Sequence, residues 1–333
     1  MESTIFNTPV QVLDKILALN LNINVWTARS KLTPEDFGGA TLPPEELAYL
    51  GSKKIYDLAK LQVFIRLKVR AFSLLDKHGV RFLSGWAIPE DKAGDIITGL
   101  CAIRDDFYAA KNDFLQSYEE GLKDWIDKHP AWADIISGST VSKDYVDRKL
   151  NFSWQLYRVA PAIGLTDENA MIESGLMPEV EGLGGTLFTE ITKDAAEIWR
   201  KVFDGKTEVT HKALSPLKTM RNKLVGLTFV EPHVSPVVEL IDTAFLKTPK
   251  RGIISGAPLL MLQGLVSLLK DKTALISQAT AMMTSTSVNS FADFLDSFEE
   301  KAPNLNLEAD SEELALAPPY LHTASRVDSL GLW

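Results

Sequence analysis

A single cysteine, Cys101, stands in 333 residues, which excludes an intrachain disulfide framework and a zinc site built on cysteines. Histidine is scarce too. None of His78, His129, His211, His233 and His322 lies three or four residues from another, so no helical pair exists to grip zinc or a di-iron centre. Basic charge is also short: lysine and arginine number 35 against 44 acids, a formal net charge of −9. Phosphate binding needs the opposite balance, so nucleic acid is disfavoured as a partner. Lys247, Lys250 and Arg251, beside Pro249, read as a solvated turn.

Long apolar runs are missing except one. Ile253 to Leu269 carries no charge over 17 residues, but Ser255, Gly256, Pro258, Gln263 and Ser267 interrupt it and Lys270 ends it. That is the lower edge of spanning length, and a buried core helix is the expectation. Met1-Glu2-Ser3-Thr4 lacks the basic start and unbroken apolar core of a secretory signal, so the expected compartment is the cytoplasm.

Recognisable catalytic words are absent. Gly205-Lys206-Thr207 resembles the end of a phosphate loop, but the required glycine five residues earlier is Arg200, inside an expected helix. Gly182-Leu183-Gly184-Gly185 would need a third glycine where Leu187 stands, and a strand before it. It reads as a hinge between halves, made by Gly182, Gly184 and Gly185. The adjacent acids Asp105-Asp106, Glu119-Glu120 and Glu299-Glu300 point apart on a helix and read as surface. Cys101 borders an apolar seam, where a small soft side chain packs well. No catalytic, cofactor or metal residue is assigned.

What the chain has is helical patterning. Between Pro89 and Pro130, Ile96, Leu100, Ile103, Phe107, Ala110 and Phe114 step by four and three, and Tyr118, Leu122 and Trp125 continue the stripe. At 1.5 Å per residue this predicts a rod of roughly 60 Å. Its expected antiparallel partner is a helix over 53–78, with Ile55, Leu58, Ile65, Val69 and Phe72 buried and Gly79 as a left-handed cap. Val80 to Leu83 reads as extended. Further helices are expected over 9–28, from Pro43, and over 142–160, 186–203, 210–229, 234–246, 256–278 and 287–300. Trp86, Trp125, Trp132, Trp154 and Trp199 are expected chiefly as core anchors.

The predicted fold is therefore mainly α: a long antiparallel helical hairpin plus a C-terminal helical bundle, with at most a few short strands. Residues 1–165 form the expected hairpin domain, 166–300 a second helical domain, and 301–333 a disordered acidic tail. The tail ends in Leu330, Leu332 and Trp333, an apolar cluster that either folds back on the body or docks on a partner.

Four blocks together carry a resemblance. They are Val25-Trp26-Thr27-Ala28 with Leu32, the run from Asp76 to Pro89 (DKHGVRFLSGWAIP), Gly182 to Phe188 (GLGGTLF), and Gly205 to Thr210 (GKTEVT). Over about residues 20–275 the chain resembles the bacterial family called domain of unknown function 3150. The resemblance implies an accessory protein of a mobile element, encoded beside a MoxR-type or cobaltochelatase-like AAA+ ATPase and a von Willebrand factor A protein, with defence or conflict between elements as the role it suggests. It supplies no catalytic residues. The leading expectation is a non-enzymatic adaptor that binds those two partners. An enzyme with an unrecognised site and a membrane-active effector inserting Ile253–Leu269 stand as alternatives.

Overall fold

Leu19, Leu21 and Ile23 alternate with Asn20, Asn22 and Asn24, a two-residue period that sends the apolar side chains to one face of a strand. The structure, a computed structural model describing residues 9–38, 51–160 and 169–284 (side chains of 169–174 excepted), uses this stretch as the middle of a sheet. Helix α1 (Pro9–Lys15) runs directly into β1 (Ile16–Asn24). A ribbon of β2 (Arg29–Lys31) and β3 (Ser52–Lys54) precedes α2 (Gln62–His78). The hairpin β4 (Val80–Phe82) and β5 (Gly85–Pro89) then leads to α3 (Ala93–Gln116) and α4 (Tyr118–Asp127). Helices α5 (Ala133–Ser137) and α6 (Lys143–Lys149) feed β6 (Asn151–Tyr157). The rest comprises α7 (Asn169–Ile198) with a π-helical turn over Trp199–Phe203, β7 (Glu208–Thr210), α8 (Leu214–Gly226), α9 (Val234–Lys247), β8 (Ile253–Ser255), α10 (Gly256–Leu269) and α11 (Lys272–Thr284).

The main sheet has the order β4-β5-β1-β6 and every pairing is antiparallel. Ala18 stands opposite Ala87, and Leu21 opposite Trp154. Both faces are covered. Ile16, Ala18, Val80, Phe82 and Ala87 join a core made by α7 to α11. Leu19, Leu21, Ile23, Trp86, Ile88 and Phe152 join the core of α2 and α3 on the opposite side. The sheet is thus a middle layer between two helical layers, a layered α/β arrangement.

The expectation of a mainly α fold is therefore corrected: the chain is mixed α and β. Residues 9–28 are one short helix and then a strand, because alternation from Leu19 to Asn24 outweighs the helical spacing before it. Residues 142–160 divide likewise into α6 and β6, whose Phe152, Trp154 and Leu156 again alternate. The glycine-rich stretch read as a hinge between halves lies inside α7, which continues through Pro178.

The long seam is real but the rod is broken. Ile96, Leu100, Ile103, Phe107, Phe114 and Tyr118 are buried, and α3 packs on α2. The helix is interrupted at Ser117, whose hydroxyl donates back to the Asp113 carbonyl at 3.1 Å, a competition that bends helices. Helix α2 begins at Gln62 rather than at 53, and it buries Phe64, Ala71 and Leu75. Ile65 and Val69, expected inside, face solvent at 44% and 59% exposure. Gly79 is extended (φ −116°, ψ 173°), not a left-handed cap. Its lack of a side chain serves strand approach, since a Cβ there would lie 2.7 Å from the Ala87 carbonyl oxygen.

The uncharged stretch from Ile253 is β8 followed by α10, whose Leu259, Leu262, Leu265, Val266 and Leu269 are buried. The expected helix over 256–278 divides because Asp271 accepts from the amides of Thr273 and Ala274 and starts α11 afresh. Among the described residues, no helix is long and apolar enough to cross a membrane. The helices expected from Pro43 and over 287–300, and the tail with Leu330, Leu332 and Trp333, lie outside the described residues.

Candidate functional site

Three prolines, Pro9, Pro232 and Pro236, stand where α1, α7, α9 and α11 converge, and between them lies an open cavity of about 590 Å³. Val12 and Val180, both buried, are part of its lining. Phe229 and Val230, from the turn between α8 and α9, add apolar surface, and Met282 and Met283 come from α11. Methionine is adaptable lining, suited to a partner side chain of uncertain shape. Glu181 on α7, Glu239 on α9 and Glu231 in the turn add three carboxylates to this apolar surface. Lys15 lies 5.6 Å from the centre of the Phe229 ring.

Glu231 is positioned. Its Oε1 is 2.6 Å from His233 Nδ1, and His233 Nε2 is 3.1 Å from the Thr280 hydroxyl on α11. Gly184 makes the other half of that arrangement, because a Cβ there would fall 2.7 Å from Glu231 Oε2. The residues read from sequence as a hinge thus share a single turn of α7, next to Val180 and Glu181 of the cavity wall. Gly185 offers its carbonyl to Lys272 Nζ at 2.9 Å, tying α7 to α11. Gly182 has open space where a side chain would be. Sequence reasoning found the glycines and missed the glutamates. The signal available was the run Glu231-Pro232-His233, an acid held between a turn and a helix start.

A second polar cluster sits where the sheet meets α2, α7 and α8. Lys223, only 4% exposed, donates to Glu190 Oε2 at 2.7 Å and to the Asp76 carbonyl at 2.8 Å. Glu190 Oε1 also accepts from the Arg81 amide at 3.1 Å. Asp76 accepts from Trp86 Nε1 at 2.8 Å, and the Arg81 guanidinium lies 3.8 Å from the centre of the Trp86 ring. Asp194, one turn beyond Glu190, has its carboxyl pushed above the ordinary range, chiefly by burial and against the pull of Lys223. His78 is held below the usual imidazole range by burial and by Lys77. The fold therefore favours the neutral imidazole at the end of α2. The donors of this cluster already have acceptors, so it reads as a structural tie rather than a reacting centre.

The remaining sequence candidates stay apart. Cys101 is half-buried on α3, distant in sequence and core from the cavity. Gly205-Lys206-Thr207 forms a turn before β7, where the Lys206 carbonyl accepts from Gln263. Trp86 is buried as expected, but Trp132 is 61% exposed. No group of three or more metal-ligating side chains occurs among the described residues.

The family model for proteins of unknown function, DUF3150, matches residues 13–271, from the end of α1 to the start of α11. No curated protein and no solved structure matches the chain.

Proposed function

This chain belongs to the DUF3150 family of proteins of unknown function, and on that premise we propose that it is a non-enzymatic adaptor that holds a basic, partly apolar segment of a partner protein. The cavity between α1, α7, α9 and α11 carries this reading. Its proline, valine and methionine lining accepts apolar side chains, while Glu181, Glu231 and Glu239 offer three carboxylates to lysine or arginine. Acid-lined apolar grooves select partners by charge at the rim and anchor them by burial at the centre. The partners we propose are a MoxR-type AAA+ ATPase and the von Willebrand factor A protein encoded with it on a mobile element. Sequence resemblance alone supports that finer statement. In the same reading the tail, through Leu330, Leu332 and Trp333, supplies a second contact, and Gly182, Gly184 and Gly185 let α7 adjust to the partner.

The test is a tagged pull-down of the full chain from its native cells, identified by mass spectrometry. Three forms are compared: the unaltered protein, the double variant Glu181→Lys/Glu239→Lys, and a form ending at Lys301. The reading expects an ATPase and a von Willebrand A protein on the unaltered chain and their loss from the charge-reversed one. Loss on truncation assigns part of the contact to the tail. Equal retention by all three forms, or no specific protein on any, overturns it.

A further inference from the structure

Among the described residues, strand β6 is an outer strand of the main sheet, paired on one side only, with β1. The Tyr108 hydroxyl, reaching over from α3, lies 3.3 Å from the Phe152 carbonyl oxygen and 3.5 Å from its amide. The main-chain groups of Phe152 therefore point away from β1. Antiparallel strands alternate in this respect, so those of Trp154 and Leu156 point outward as well. Tyr108 occupies the first outward position, and the next two have no partner strand among the described residues.

The side chains along this edge are also unusual for it. Leu156 and Tyr157 are 40% and 41% exposed, on opposite faces of the strand, and Trp154 is half-buried. Exposed edges are normally blunted, and here only the Phe152 end is. Charge around the strand runs against that of the whole chain. Arg104 lies 5.4 Å from the centre of the Trp154 ring, Lys111 holds the Leu150 carbonyl, Arg148 and Lys149 precede the strand, and Arg158 follows it. The acids facing this region are Asp105, Asp147 and Glu90, paired with Arg104, Lys111 and Arg158 respectively. Arg148 and Lys149, at the start of the strand, have no ion pair among the described residues, so the charge left over at this edge is basic in a protein whose net charge is −9.

We propose that β6 is a docking edge for an extended acidic strand of a partner protein, which adds to the sheet through the main-chain groups of Trp154 and Leu156. Strand addition draws affinity from the main chain and selectivity from alternate side chains. Here Leu156 would meet an apolar residue on one face, and Arg148 and Lys149 at the start of the strand would meet acids. A second copy of this chain fits less well. Antiparallel self-pairing that uses both open residues sets Trp154 opposite Leu156 and Arg158 opposite Phe152, so the Arg158 end of each copy lies toward the Arg148–Lys149 end of the other. Gathering like charge at both ends of such a pair disfavours it, whereas an acidic strand is favoured by the same charges. This surface involves none of the cavity residues and does not rest on the reading of the cavity.

The experiment uses the full chain and a fluorescein-labelled ten-residue peptide of alternating valine and glutamate, with a valine–lysine peptide as its counterpart, followed by anisotropy at low salt. The acidic peptide is expected to bind and the basic one not. Leu156→Pro removes one outward N–H without touching the β1 ladder, and a proline is tolerated on such an edge. It is expected to weaken binding about tenfold, as the loss of one hydrogen bond with its acceptor left unpaired implies. Arg148→Glu/Lys149→Glu, a change outside the sheet, is expected to reduce the preference for the acidic peptide, which guards against misreading an unfolded proline variant. Glu181→Lys/Glu239→Lys should bind the peptide as before, which separates this proposal from the cavity. No binding, equal binding of both peptides, or binding indifferent to both β6 variants overturns it. So does a dimer in analytical ultracentrifugation that Leu156→Pro converts to monomer, since the edge would then serve a second copy.

Discussion

Lys223 on α8 lies 2.7 Å from Glu190 on α7, and the same ammonium donates at 2.8 Å to the carbonyl of Asp76 in the last turn of α2. The carbonyls of a helix's last turn have no partner inside the helix. Lys223 therefore closes one of them while neutralising a carboxylate from the other side of the sheet. One side chain joins the two helical layers where β4 passes between them.

Removing that ammonium leaves Glu190 partly buried without its cation and the Asp76 carbonyl without its donor. Lys223→Met is expected to destabilise the protein by about 3–5 kcal/mol in urea denaturation, the range for breaking a buried pair. Adding Glu190→Gln to it should return part of the loss, because the stranded charge is gone. A double-mutant cycle is expected to give a coupling of about 1–3 kcal/mol. Strict additivity of the two changes would remove Lys223 as the tie between layers.

Two titrating groups flank this tie with opposite signs. His78 is held below its ordinary value of 6.5, first by burial and then by Lys77. The folded protein therefore binds fewer protons there than the unfolded chain, and stability falls as the pH drops below about 6.5 toward the lower folded value. His78→Asn should flatten that slope. Asp194 is raised above 3.8, first by burial. Its favourable contribution is present below that ordinary value and is lost as the pH rises through the folded one. Asp194→Asn is thus expected to be the more stable protein at neutral pH, with the advantage vanishing in acid. Urea midpoints measured from pH 3 to 8 check both directions.

Much of the helical half was legible because heptad spacing reports burial directly: Ile96, Leu100, Ile103 and Phe107 are all inside. The sheet was less legible, although Leu19 to Asn24 carries a clean two-residue alternation. The apolar residues from Val10 to Ile16 immediately before it satisfy a helical period, and a short α1 does fold there before the chain changes period. Residues 151–157 were obscured in the same way by α6 before them. The helix that runs through the glycines at 182, 184 and 185 was obscured for another reason. Glycine weakens a helix by about 1 kcal/mol, but tertiary packing on both sides of α7 exceeds that. Apart from the Glu231-Pro232-His233 run, the cavity was illegible because α7, α9 and the 228–232 turn meet only in the folded chain.

Gly182 and Gly184 allow the hinge and the wall to be told apart. In a helix with open space around it, Gly182→Ala should stabilise the protein by about 0.5–1 kcal/mol, since alanine loses less backbone freedom on folding. Gly184→Ala is different. Its Cβ would sit 2.8 Å from Glu231 Cβ and must push that carboxylate off His233. Gly184→Ala is expected to lower the melting temperature and to weaken partner retention, because Glu231 leaves its place in the cavity wall. Gly182→Ala should raise the melting temperature and leave retention unchanged if α7 works as a rigid wall. Were Gly182→Ala to abolish retention while stabilising the fold, bending of α7 would be required for binding, as the hinge reading of these glycines has it.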